Sequence, residues 1–542
     1  MPRLSLGLDS STQKLQAIVI DIDTGEKVFD HSLDYRRDPR LNRFEINENY
    51  ILPPLNEGEA SQPPLMFFAS LDAMSKDTPL EMRRDIVVIN TSGQQHGHVY
   101  LVEFAHNLFD RLRRQIHRSK EWDLAQILGT SLAYDRAPIW MTSDTVQEAD
   151  EIRELIGGKQ RMIELSGSDS PLRFTGAVIR KTGKRNFGRN YIDTKRIQLI
   201  GNLIPAVLTG NTDTPADFAN ACGMSLMDYR KKEWSNELIE AVSKGLTNVG
   251  THLRYKLPKL TSPDSVVGNI AEYFVKKYDF NENCQVVAGS GDNPQSKVLV
   301  SGDLLSLGTS FVNMTSTDGN TFDMQGFANA MYDGVGRPFI FGCRTNGAMV
   351  WDMVRADYSI AKEDYASGEK ALARTEVGGK QMFFLQPRNE SFPVSGIFKP
   401  TRIGYGIGFL PDDYNGIIES SLAAVYTHSK SFTRQTNETL YVTGGATASP
   451  EIMRRVAAMW NRPVIPIEKG GAALGAAVAG AYAYLRGQRE SADIEVLSQR
   501  VLRRREPIYP RADDVNAYHG ENGYLKRFET EEARLISANP VK

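Results

Sequence analysis

Cysteine is scarce in this chain: three occur in 542 residues, Cys222, Cys284 and Cys343, and none stands in a CxxC spacing. That excludes a disulfide framework and a cysteine-rich zinc site, and it fits a reducing compartment. An excess of one charge is also missing, since Lys+Arg 64 against Asp+Glu 66 leaves a net charge of −2. Such a chain is no general nucleic-acid binder, because phosphate backbones call for surplus positive charge. The run Arg503-Arg504-Arg505 reads as a solvated face. No apolar run is long enough to span a membrane; residues 472–484 are too few and too rich in Ala and Gly. HExxH and GxxxxGK[ST] are both absent, which excludes a zincin helix and a P-loop. Leu4-Ser5-Leu6-Gly7-Leu8 follows the first residues with no secretory pattern, so a cytoplasmic location is expected.

What the chain does have is a set of glycine-centred loops, each behind an apolar, strand-like run. They are Gly7-Leu8-Asp9-Ser10-Ser11-Thr12-Gln13, Leu307-Gly308-Thr309-Ser310 and Val442-Thr443-Gly444-Gly445-Ala446. A fourth segment, Ala288-Gly289-Ser290-Gly291-Asp292-Asn293, carries an acid in the same setting. Tight turns of small residues expose backbone N–H groups, which phosphate oxygens need. An acid at a strand end can hold Mg²⁺ or take a proton from an alcohol. Together these features point to phosphoryl transfer from a nucleotide to a hydroxyl.

Apolar alternation predicts a hairpin over Leu4–Leu8 and Leu15–Ile22, a polar excursion over 34–64, and a buried strand at Ile86–Asn90. Helical spacing predicts helices over Asp144–Ile156, Lys195–Leu208, Pro450–Trp460 and Ala472–Arg486. Strands are expected at Leu304–Leu307, Phe311–Met314, Leu440–Val442 and Val464–Pro466, and the alternation indicates α/β architecture. Two prolines in 257–263 suggest a linker. Domains are therefore expected over 1–258 and 264–487, with a charged surface extension over 488–542.

The ordered set Gly7–Gln13, Ser92-Gly93-Gln94-Gln95-His96-Gly97, Pro138-Ile139-Trp140-Met141, Arg173-Phe174-Thr175-Gly176, Asp217–Gly223, Gly291-Asp292-Asn293-Pro294, Ser306–Ser310 and Thr443–Ala446 resembles the FGGY carbohydrate kinases. The resemblance implies two ribonuclease-H-like, actin-type ATPase domains flanking a catalytic cleft. It implies ATP and Mg²⁺ as cofactors, and a ketose, foremost D-xylulose, as the acceptor. Another sugar or polyol such as ribulose is the nearest alternative. A non-catalytic actin-like regulator that binds nucleotide or sugar is the alternative from another class. No nucleic-acid or membrane partner is expected, and the chain would act as a monomer or homodimer.

An aspartate at position 292 reads from spacing equally as a base or as a turn residue; the resemblance makes Asp292 the base. It also implies sugar contacts from Gln95, His96, Arg173, Asp292 and Asn293, although Asn293 could instead cap a helix. Asp9 is the expected Mg²⁺ ligand. Ser10, Ser11, Thr12, Gln13, Gly308, Thr309 and Ser310 are expected at the phosphates, and Gly444, Gly445 and Ser449 at the adenosine. Asp217 reads as structural and is the rival to Asp292. Two positions depart from the family pattern. Ser449 stands where an Asn is frequent, and Thr142 stands where an Asp often follows Trp-Met.

Overall fold

A computed structural model describes residues 2–114, 122–184, 188–246, 252–361, 364–385, 398–406, 408–433, 438–468 and 470–538. The chain divides into two compact units. One comprises Met1–Leu299, Ala330–Pro338 and Gly470–Val501; the other comprises Val300–Asn329, Phe339–Lys469 and Leu502–Lys542.

In the first unit, β1 (Leu4–Ser10), β2 (Lys14–Asp21) and β3 (Lys27–Asp34) form an antiparallel meander. On its other edge β1 takes a parallel partner, β4 (Ile86–Gly93). Next come β5 (Val266–Asn269) and β6 (Gln285–Val287), and the order across the sheet is β5–β6–β4–β1–β2–β3. Every residue of β1 is buried, as a strand covered on both faces must be, and this is why it reads as a near-continuous apolar run.

The helix Ala472–Gly487 covers one of those faces. Its small residues let backbone meet backbone. Ser5 Oγ donates to the Ala477 carbonyl at 2.7 Å, and Asn90 Nδ2 donates to that of Ala476 at 3.1 Å. A Cβ on Gly7 would lie 2.0 Å from the Ala473 oxygen, and one on Gly475 would lie 1.8 Å from the Gln295 oxygen. The Ala/Gly-rich run that is too short for a membrane is therefore a core helix, and among the described residues no helix is long and apolar enough to cross one.

The second unit repeats the motif. The strands β7 (Asp303–Leu307) and β8 (Phe311–Ser316) form a hairpin, β9 (Pro338–Arg344) pairs with β8, and β10 (Leu440–Thr443) lies parallel to β7. With β11 (Val464–Pro466) the order is β9–β8–β7–β10–β11. Both units thus start from a hairpin whose first strand takes a parallel neighbour.

The structure departs from expectation at three places. The division falls at Leu299/Val300 instead of 258–264, because residues 266–287 supply β5 and β6 to the first sheet and Leu260–Thr261 pairs with Ala216–Asp217. The expected helix over 195–208 begins only at Ile200; Thr194–Leu199 is a strand paired with His98–Val102. The C-terminal extension is no surface tail. Residues 488–501 belong with the first unit, and the helices Ala512–His519 and Tyr524–Ala538 seal the second. There Tyr518 donates to the buried Glu419 at 2.8 Å, and Phe528 stacks on Phe383.

Replacing Gly475 with Ala should cost about 2–3 kcal/mol through overpacking against the Gln295 backbone. It should lower the urea midpoint, whereas Gly445→Ala, where a Cβ meets nothing within 4 Å, should leave it unchanged. Equal midpoints for both variants would show that the helix is not seated this way.

Candidate active site

Three strand ends lie side by side in the first unit. Asp9, near the end of β1, is in register with Ser92 of β4. The short strand Ser290–Gly291 continues along the far edge of β4, with Gly291 opposite Gly93. Asp292 follows at once as the first residue of the helix Asp292–Val298. Strands are spaced about 4.8 Å, so Asp9 and Asp292 sit two strands, or about 10 Å, apart on one end of the sheet.

Asp9 is buried, Asp292 is partly buried, and both resist ionisation. Burial, and after it the Asp9 charge, push Asp292 up to about 7, against the backbone N–H groups of Asn293 and Gln95. Burial pushes Asp9 up to about 6, against the pull of Ser92 and the Lys14 ammonium. Asp9 Oδ1 meets no hydrogen-bond partner among the described residues, and neither does Gln95 Nε2. Buried polar atoms usually find a partner, so these two have capacity left for a polar ligand or ion.

Asp217 shows the opposite condition. Its pKa is also raised by burial to about 6. Yet its Oδ1 accepts from Asn202 Nδ2 at 3.0 Å, and its Oδ2 accepts from the Asn220 N–H at 2.9 Å and from Ser290 Oγ at 2.6 Å. Both oxygens are engaged, and Asp217 holds the backbone just ahead of Asp292.

His96 follows β4 in a tight turn with φ 66°, a conformation uncommon for a side-chain-bearing residue. Its ring stacks on Phe174, with centroids 4.4 Å apart. Its Nδ1 lies 2.8 Å from the Gly223 carbonyl. A carbonyl cannot donate, so Nδ1 carries the proton and Nε2 is an acceptor. Burial, and then the nearby Arg173, hold the ring neutral, with its pKa lowered to about 3. Glycine is required at 223, where a Cβ would lie 2.8 Å from the imidazole. Asn293 Nδ2 donates to Gln95 Oε1 at 2.9 Å, which links the two amides beside Asp292. Asp292, Asn293, Gln95, His96 and Arg173 therefore form one neighbourhood of neutral acceptors, amides and a cation, suited to a polyhydroxy ligand.

The turn between β1 and β2 holds Ser11, Thr12 and Gln13 partly or fully exposed, and the N–H groups of Thr12 and Gln13 meet no acceptor among the described residues. Ser10 differs from expectation: it lies within β1, and its hydroxyl is buried against Tyr35 at 3.0 Å. Trp140, Gln62 and Gln94 surround the turn. Residue types and spacing gave no reason to place Gln62 there.

In the second unit, Gly308, Thr309 and Ser310 form the β7–β8 turn, with Thr309 exposed and its N–H without an acceptor among the described residues. Gly444 leaves β10 with φ 103°, and a Cβ there would lie 2.4 Å from the Leu307 carbonyl oxygen. The glycine thus lets β10 press on the end of β7, while the space over Gly445 is open. Ser449 has another use than the one expected. Its Oγ caps the helix Pro450–Trp460, accepting from the Ile452 N–H at 3.1 Å, and donates to Glu369. Thr142, the other departure, is buried and donates to the Ala60 carbonyl at 2.9 Å, fastening the 34–64 excursion.

Residues 134–298 match the N-terminal domain, and residues 304–484 the C-terminal domain, of the FGGY family of carbohydrate kinases. Xylulose kinase of Schizosaccharomyces pombe is 26% identical over 513 residues, covering 88% of this chain and 89% of that one. Among solved structures, a gluconate kinase from Lactobacillus acidophilus superposes with a TM-score of 0.79 at 17% identity, over 99% of each chain. A ligand-bound xylulose kinase from the same organism gives 0.78 at 16%, again over 99% of each. At such identities the structures show a shared fold.

The raised pKa of Asp292 has a consequence for stability. An ionised Asp292 penalises the folded state; the penalty is absent below the unfolded value near 4, grows as pH rises, and is complete above about 7. Asp292→Asn should therefore melt higher than wild type at pH 8, by about 1–4 kcal/mol, and the gap should close by pH 4 to 5. A gap that stays constant across that range would refute burial of the charge.

Proposed function

The chain belongs to the FGGY family of carbohydrate kinases, and on that premise we propose that it transfers the γ-phosphoryl group of ATP to the terminal hydroxyl of D-xylulose, giving D-xylulose 5-phosphate. The choice of sugar is supported by curated relatives named xylulose kinases that match over most of their length. The single observation that carries the mechanism is Asp292, a partly buried carboxylate whose proton affinity is tuned close to neutrality.

A sugar hydroxyl is a poor nucleophile until its proton has somewhere to go. Asp292 takes that proton as the bond to phosphorus forms, and a base with a pKa near the working pH does so with the best balance of ionised fraction and driving force. His96 Nε2 accepts from one sugar hydroxyl, and Gln95, Asn293 and Arg173 hold the others, so that the reacting oxygen is oriented before transfer. In the first unit the N–H groups of Thr12 and Gln13, which meet no acceptor among the described residues, receive phosphate oxygens; in the second unit the Thr309 N–H is a donor of the same kind, and the open space over Gly445 suits the adenosine.

Asp9, with its unpartnered buried Oδ1, fits a divalent cation, and one or two carboxylates suffice for Mg²⁺, which keeps several waters. When bound, such an ion neutralises phosphate charge. The regulator alternative gives no reason for a poised base among sugar-binding groups.

ADP release should be followed with ATP, Mg²⁺ and a panel of ketoses and polyols. D-xylulose should be the preferred acceptor, and Asp292→Asn should lower kcat by about 10²–10⁴. Because the base must be ionised, kcat/KM should fall about tenfold per pH unit below about 7. Preference for another sugar would keep the chemistry and move the substrate; ATP binding without sugar-dependent turnover would sink the kinase reading.

A further inference from the structure

The excursion over 34–64 is joined to the β1–β2 turn by a ring of hydrogen bonds whose direction is fully determined. Gln62 lies on the short strand Ser61–Gln62, paired with Ala137–Pro138, and is completely buried. One of its amide atoms sits 2.7 Å from two backbone carbonyls, those of Thr12 and Tyr50. Two acceptors require a donor, so that atom is Nε2, and both its protons are used. Its Oε1 therefore accepts, at 2.7 Å, from Gln94 Nε2. This turns Gln94 Oε1 toward Thr12, whose hydroxyl donates to it at 3.2 Å. The same hydroxyl accepts from Trp140 Nε1 at 2.8 Å. Gln94 is itself tied to the sheet, its N–H donating to the Ser10 carbonyl at 2.9 Å.

Two things follow. The Thr12 hydroxyl has spent its only proton inside the ring, so it cannot donate to a phosphate; what the turn offers is backbone N–H. And that backbone is held from both sides, at the Thr12 carbonyl by Gln62 and at the Thr12 hydroxyl by Gln94 and Trp140. A short polar turn at the tip of a hairpin would otherwise sample several conformations, and donors that must be ordered on binding cost affinity.

We propose that Gln62 is a positioning residue for phosphate binding: acting through Gln94, Thr12 and Trp140, it sets the Ser11–Gln13 turn in its phosphate-receiving conformation, and the polar excursion exists in part to deliver it. The proposal rests on the reading of this turn as a phosphate-binding element. Sugar contacts lie elsewhere, around His96 and Asp292, so the effect belongs to the nucleotide.

The test compares Gln62→Leu, Thr12→Val, Thr12→Ser and the double variant Gln62→Leu/Thr12→Val in the full chain. Thr12→Ser keeps the hydroxyl and should recover most of the ATP affinity that Thr12→Val loses. Gln62→Leu and Thr12→Val should each raise KM for ATP about tenfold with KM for the sugar unchanged, and the double variant should be no worse than the poorer single one. Additive effects would mean that the Thr12 hydroxyl meets phosphate itself; equal effects on both substrates would mean that Gln62 is only structural. Either result overturns the proposal. Should Gln62→Leu fail to fold, Thr12→Val against Thr12→Ser, at a solvent-accessible turn, carries the comparison alone. Hydrogen exchange at the Ser11 N–H, which donates to the Lys14 carbonyl at 3.1 Å and closes the turn, separates this proposal from the kinase reading. Exchange should quicken in Thr12→Val and Gln62→Leu and stay slow in Thr12→Ser whether or not any sugar is phosphorylated, and unchanged exchange in the first two would refute the ring.

Discussion

Direct backbone contact between the helix Ala472–Gly487 and the strands β1 and β4 is the constraint on which the first unit depends. Ordinary helix–sheet packing interposes side chains and leaves room to slide. Here Gly7 removes that layer against β1, Gly475 does the same against the helix Asp292–Val298, and Ser5 and Asn90 anchor the helix through its own carbonyls. Strand ends seated so firmly can hold two carboxyl groups largely under cover although the charge of Asp9 raises the cost of ionising Asp292. A looser sheet would relax by letting water in, and the proton affinity of Asp292 would return to that of an ordinary aspartate.

Asp217 and Asp292 show why burial alone does not mark a functional acid. Asp217 is fully buried and Asp292 partly so, and both have raised pKa values. Asp217 is saturated with donors from Asn202, Asn220 and Ser290, whereas Asp292 draws its hydrogen bonds from the neighbouring backbone and the Asn293 amide, and it stands beside atoms without partners. One is a fastener and the other faces the ligand. The fastener works for the acid, because Ser290 links Asp217 to the segment that presents Asp292.

Local chemistry was the legible part of the sequence. The turns after β1, β7 and β10 stand where small residues break apolar runs, and the helix Pro450–Trp460 has the limits its periodicity suggests. What misled was pairing at a distance. Residues 194–199 have a helix-compatible pattern, but His98–Val102 offers them a strand partner, and pairing decides. The prolines of 257–263 look like a linker because nothing nearby shows that Leu260–Thr261 will join Ala216–Asp217. Ser449 appeared as a substitution at a nucleotide contact and serves as a helix cap. Gln62 carries no signal in its own neighbourhood, since its meaning arises only when Thr12, Tyr50 and Gln94 come to meet it.

The seating of the Ala472–Gly487 helix also bears on how the molecule is made. Ser5 and its partner Ala477 are 472 positions apart in the chain. Ribosomes add about 5–20 residues per second, so β1 emerges and waits tens of seconds for the helix that covers it. All of the second unit's residues up to Lys469 are synthesised in that interval. The nascent first unit thus carries a naked apolar sheet face through most of translation, which makes it a natural client for chaperones and makes any premature stop before the helix a source of sticky fragments.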